Sequence, residues 1–154
     1  MSAIRATRLF ALVAPLTMLA ACISQTPTAH TSDAPVASTA PATSAVGGIK
    51  GDAANGKELF MANGCPACHG VTPEDNAKVG PNLVGVVGRK AGTTPSLLGP
   101  SENMKKYGVT WSAETLDEFL ANPNAKVPGT AMAGILTDPQ QRADVIAYLS
   151  TLKN

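Results

Sequence analysis

Two cysteines stand three positions apart in the stretch NGCPACHG, at Cys65 and Cys68, and His69 follows the second directly. From Ile49 to Asn154 the chain has no other cysteine and no other histidine. This spacing constrains the fold more than any other feature. The stretch is about one hundred residues, the size of one domain. Domains this small usually complete their core with strands or long-range disulfides. Here the only available disulfide would close a tiny loop, and no alternating strand pattern is legible. The core is therefore expected to be thin, with a large apolar body filling its middle.

Three helices are predicted. The first can start at Asp52 as N-cap, with Leu59 and Phe60 as its heavy apolar positions. The second starts at Ser112, places Leu116, Phe119 and Leu120 on one face, and is stopped by Pro123. The third has Asp138 as N-cap, Pro139 at its first position and Gln141 to complete a capping box. Val145, Tyr148, Leu149 and Leu152 then recur at helical spacing. Long Gly- and Pro-rich connections separate the three, so the fold class is all-α.

Three chemistries use two thiols at this spacing. A redox disulfide of the thioredoxin kind needs a preceding strand in a βαβ context, which is not visible. Zinc needs two further ligands, and the domain has no other Cys or His. Cys65-Pro66-Ala67-Cys68-His69 instead fits covalent attachment of haem. Two thiols add across the two vinyl groups on one porphyrin edge, and a turn of backbone spans that edge. The next residue then lies beneath the iron, where its imidazole can coordinate. Electron transfer favours a second axial ligand. His30 lies outside the domain, and Met61 is on the helix just before the attachment site. Met104 and Met132 remain. Met132 sits in NPNAKVPGTAMAGI, a loop rich in turn residues, and is the one placed to close a pocket from the far side.

The N-terminal region is of a different character. Arg5 and Arg8 precede an apolar run, Leu9 to Ala21, too short to span a bilayer and of the make-up of an export signal. Leu19-Ala20-Ala21-Cys22 resembles a bacterial lipobox, which implies cleavage before Cys22 and its lipidation. The alternatives are an ordinary cleavage site beside an incidental cysteine, or an uncleaved anchor. Residues 23–48 are rich in Ser, Thr, Ala and Pro, with almost no charge and no apolar period. They are expected to be a disordered tether averaging roughly 28 Å end to end. The organisation is thus a signal over residues 1–21, a lipidated tether over 22–48 and a haem domain over 49–154.

Residues 51–154 resemble a class I c-type cytochrome of the mitochondrial-like kind. GPNL, GRKAG, TWSAETLDEFLANP, VPGTAM and RADVIAYL fall in family order. The resemblance implies a small fold with long loops wrapped around one haem c. It also implies that Met132 supplies sulfur opposite His69, and that the Pro81 carbonyl accepts the other ring N–H of His69. Arg89 and Trp111 match positions that contact a buried haem propionate, although Trp111 also suits a plain core aromatic. Thr130 and Asn122 fall where the family hydrogen-bonds around the methionine loop. Gly56 resembles the glycine crossed by the last helix, with Tyr148 and Phe60 filling the crossing. Three departures stand out. The chain is two residues shorter after Met132, Phe119 replaces a tyrosine, and TPSLLGPSENMKKYG does not align cleanly.

Between Lys50 and Lys153 ten basic residues oppose ten acidic ones. Strong steering towards an acidic partner is not expected, nor is nucleic acid binding. Lys78, Lys90, Lys105, Lys106 and Lys126 can ring the exposed haem edge but suit a solvated surface equally. The expected function is a non-enzymatic, lipid-anchored electron carrier on the periplasmic face of a bacterial membrane, without a small-molecule substrate. Its redox protein partners would be a quinol-oxidising complex or other donor, and a terminal oxidase or reductase as acceptor. The alternatives are a subunit of a larger oxidoreductase, or a peroxidase or gas-binding protein with a displaceable Met132.

Overall fold

A computed structural model describes residues 45–134 and 136–153. The expected signal, Cys22, His30 and the tether as far as residue 44 lie outside the described residues. The chain begins with a hairpin of β1 (Ala45–Val46) and β2 (Ile49–Lys50), paired Ala45 with Lys50 and Val46 with Ile49. Five helices follow: α1 (Ala53–Ala62), α2 (Glu102–Tyr107), α3 (Ala113–Ala121), α4 (Pro123–Lys126) and α5 (Pro139–Thr151). A 3-10 turn at Cys65–Ala67 lies between α1 and α2. The architecture is all-α apart from the hairpin.

Local chemistry explains where α1, α3 and α5 begin. The Asp52 carboxylate accepts from the backbone N–H of Ala54 at 2.8 Å and of Asn55 at 3.3 Å. Ser112 Oγ accepts from Thr115 N at 3.2 Å, while Thr115 Oγ1 accepts from Ser112 N at 2.7 Å, a full capping box. Asp138 accepts from Gln141 N at 2.9 Å. The reciprocal exchange expected of Gln141 is found instead on α3, where a threonine makes it.

Three expectations need correction. The boundary at Ile49 falls inside the hairpin: Gly47 and Gly48 take positive φ at its two-residue turn, and Val46 is buried in the core. Two-residue strands are too short to show alternation. Helix α3 stops before Pro123 as expected, but a further, unexpected short helix starts at that proline. Asn122 closes α3 and caps α4, accepting from Ala125 N at 3.1 Å, and proline fits the first helical position because it has no N–H to lose. The unaligned segment contains α2, begun by Ser101 and ended by Gly108 in a left-handed conformation. At six residues it is too short for a periodic signal.

Helices α1 and α5 cross at Gly56. A β-carbon there would overlap the Asp144 carbonyl. The Phe60 and Tyr148 rings meet beside the crossing, centroids 5.4 Å apart, as the resemblance implied. Buried Asp144 locks the same junction. Its carboxylate accepts from Asp52 N at 2.8 Å, Asn55 Nδ2 at 2.7 Å and Gln140 Nε2 at 2.8 Å. Burial alone would raise its pKa, but these three donors hold it below the ordinary carboxylate value. On the other side of α5, buried Arg142 donates to Asp117 at 2.6 Å and to the carbonyls of Leu136 and Thr137 at 3.1 and 2.8 Å. It ties the chain before α5 to α3.

Two outcomes follow from the crossing. Gly56→Ala is expected to destabilise the protein by ~3 kcal/mol or more, read from the denaturant midpoint. Asp144 contributes stability that is fully present above the unfolded aspartate value of about 3.9 and is lost as pH falls through the lower folded value. Asp144→Asn, leaving a mismatched buried donor, is expected to cost ~1–3 kcal/mol at neutral pH and to flatten the acid limb of the melting profile.

Candidate functional site

The attachment turn is set by what ends α1. Asn63 caps the helix with its side chain on Leu59 O at 2.8 Å, and Gly64 then takes φ 71°. That left-handed step turns the chain into Cys65–Ala67, with Pro66 at the second position. The Cys65 carbonyl accepts from both Cys68 N at 3.2 Å and His69 N at 3.0 Å. The coil brings Cys65, Cys68 and His69 to the wall of one cavity. Cys65 is half-buried and Cys68 exposed, and burial pushes the Cys65 thiol up.

His69 is oriented from outside the motif. Its Nδ1 lies 2.9 Å from the Pro81 carbonyl. A carbonyl only accepts, so Nδ1 carries the hydrogen and Nε2 keeps a free lone pair. Burial lowers the imidazole pKa, the Pro81 bond partly offsets this, and the Lys78 ammonium lowers it further. A neutral, coordinating ring results. Gly80 makes room for it: a β-carbon there would sit 2.6 Å from Cε1 and 2.8 Å from Nδ1. Gly80 N also donates to Cys68 O at 2.8 Å. Buried Asn82 braces the loop, donating to Thr72 O and Asp75 O and accepting from Val84 N.

Across the cavity, Thr130 Oγ1 accepts from Met132 N at 3.3 Å, and both residues line the wall. Asn103 Nδ2 donates to Pro128 O at 2.8 Å, joining α2 to this loop. Met104 also faces the cavity, so both methionines left by sequence elimination reach it. Asn122, expected near the methionine, serves as the α4 cap instead.

The cavity measures about 580 Å³, within the ~300–1,000 Å³ of small-molecule sites. Its wall is largely apolar, with Phe60, Leu83, Leu116, Phe119, Leu120 and Leu149. Arg89 reaches it half-buried, donating to Val84 O at 3.0 Å and Asn82 O at 2.8 Å. Burial lowers its pKa, yet a guanidinium stays charged. With three of five donors left and no salt bridge among the described residues, it suits a carboxylate. Trp111 packs edge-on against Phe119, centroids 5.2 Å apart, and lines the same wall. It is a core aromatic that also reaches the cavity wall. Two thiols, an imidazole with a free nitrogen, thioether sulfur and an unpaired guanidinium around an apolar slot suit a porphyrin with acidic side chains. Among the described residues no three His, Cys, Asp or Glu gather as a metal cluster.

Gly80, Lys78, Asn82 and Asn103 escaped sequence reading. Only Gly80 carried a signal, a glycine directly before the histidine's proline partner. Of the five lysines weighed for a docking ring, Lys105 pairs with Glu102 and Lys126 with Glu118, each at 2.6 Å. Lys78 turns inward.

Residues 53–153 match the family model for cytochrome c. Cytochrome c2 of Rhodomicrobium vannielii is 47% identical over 102 residues, covering 66% of this chain and 79% of that protein. Cytochrome c of Sesamum indicum is 42% identical over 100 residues, covering 64% and 88%. A cytochrome c homolog of Bradyrhizobium diazoefficiens is 46% identical over 98 residues, covering 62% and 53%.

Gly80→Ala is expected to push the imidazole off the Pro81 carbonyl and to lower the fraction of low-spin haem in purified protein. Val87→Ala, exposed and outside the cavity wall, should leave that fraction unchanged. Optical spectra of the two variants check this.

Proposed function

Because the chain belongs to the cytochrome c family, we propose that it is a membrane-tethered one-electron carrier with a histidine–methionine haem. A single covalently attached haem c and electron transfer come with the family itself. Cys65 and Cys68 would form the thioethers, and His69 through Nε2 and Met132 through its sulfur would hold the iron. Arg89 and Trp111 hold a propionate, and Thr130 steadies the methionine loop. When bound, the haem supplies an iron that gains and loses one electron. The protein's own residues would hold that iron in both states, exclude water and leave one edge near solvent, where exposed Cys68 lies.

The carrying observation is the His69–Pro81 bond at the wall of the apolar cavity. It leaves one nitrogen for metal, burial rather than this bond keeps the ring neutral, and such a partner raises ligand basicity. Met132 is favoured over Met104 because it rises from a loop whose backbone Thr130 holds, whereas Met104 is fixed on the short helix α2; both are partly buried against the core. Histidine–methionine ligation raises the potential relative to bis-histidine. This supports service at the oxidising end of a respiratory chain, from a quinol-oxidising complex or other donor to a terminal oxidase or reductase.

The tether is proposed from the lipobox-like Leu19-Ala20-Ala21-Cys22 and the low-complexity stretch after it. Attachment is assigned to lipid on Cys22 from that sequence pattern; no helix of the described residues is long and apolar enough to cross a membrane. The folded domain then samples the periplasmic space above the bilayer.

Oxidised protein is expected to show a weak far-red band from iron–sulfur ligation. Met132→Ala should abolish it and open the iron to carbon monoxide, while Met104→Ala should retain it. The reverse pattern would move the assignment to Met104. Mass spectrometry of the mature protein should find one haem and, separately, acyl groups on Cys22. An unmodified Cys22 would remove the tether.

A further inference from the structure

Lys78 is the one lysine of the presumed docking ring that the fold ties to the axial histidine. Its Nζ donates to Pro66 O at 2.6 Å and His69 O at 3.3 Å, and pairs with Asp75 Oδ2 at 3.0 Å. An ammonium has three N–H donors, and here each has an acceptor. The two carbonyls bracket the attachment turn, one between the cysteines and one on the histidine. The Lys78 carbonyl also accepts from Leu97 N at 2.9 Å, so its own backbone is held. The side chain is only 27% exposed, unlike the pair made by Lys105, which is 51% exposed.

We infer that Lys78 is a positioning residue for the haem attachment turn, and that its fixed charge, opposed by Asp75, biases the iron towards the reduced state. The inference rests on the assignment of His69 as axial ligand. Backbone carbonyls at Pro66 and His69 concentrate negative potential on one side of the turn. The ammonium neutralises it and clamps both ends, keeping thiols and imidazole on one wall. Oxidised iron carries one more positive charge than reduced iron. A nearby cation therefore opposes oxidation and a nearby anion favours it, with less salt screening for partly buried groups than for solvated ones. Potential is set partly by such surroundings of the ligand.

The signs separate this role from the alternatives. In purified holoprotein, Lys78→Gln should lower the midpoint potential. The expected change is about threefold to tenfold in the one-electron equilibrium constant, or ~30–60 mV. Asp75→Asn should raise it, Lys78→Gln with Asp75→Asn should return near wild type, and Lys78→Arg should stay close to it. Loosening of the turn alone would move Lys78→Gln and Asp75→Asn in the same direction, which would overturn the proposal. A docking lysine would leave both potentials unchanged, with the same result. If Lys78→Gln fails to mature with haem, the sign of the Asp75→Asn shift decides. Wild-type protein with no spectroscopic sign of histidine ligation would instead overturn the ligand assignment beneath it.

Discussion

The structure depends on an apolar hollow that the polypeptide does not fill. Among the described residues, helices α1, α2, α3 and α5, none longer than thirteen residues, contribute to the wall of a cavity of about 580 Å³. A chain of this size has little surplus burial to offset its conformational entropy. Covalent haem supplies the missing apolar surface, and binding to the folded form alone adds stability through linkage. The α1–α5 junction braces the cavity from outside, sharing Phe60 and Leu149 with its wall. There Gly56 lets two backbones touch, and Asp144 stitches them with three hydrogen bonds.

The two walls of the hollow are built differently. On the histidine side, backbone groups dominate: Pro81 O holds the ring, Gly80 admits it, and Lys78 clamps the turn behind it. On the methionine side a loop is pinned at several points. Asn124 accepts from Gly129 N at 2.9 Å, Asn103 holds Pro128, Thr130 holds Met132, and Arg142 grips Leu136 and Thr137.

Surface charge plays a modest part. Basic and acidic residues balance over the haem domain, and three of its lysines are neutralised locally. Association with a redox partner therefore relies less on long-range attraction than it would for a strongly basic carrier.

The sequence by itself determined the chemistry. Cys65, Cys68 and His69 state their purpose at a distance of one turn, because covalent attachment depends on local spacing. The starts of α1, α3 and α5 were legible for the same reason, since a cap lies within three residues of what it caps. Tertiary structure decided what local signals cannot carry. Strands of two residues and helices of four or six are too short for periodicity, so β1, β2, α2 and α4 appeared only in the fold. The roles of Gly80 and Lys78 depend on a loop returning to the histidine about ten residues later, where contact follows from packing. A lysine reads as surface until its acceptors are seen, because its charge is placed by the fold around it.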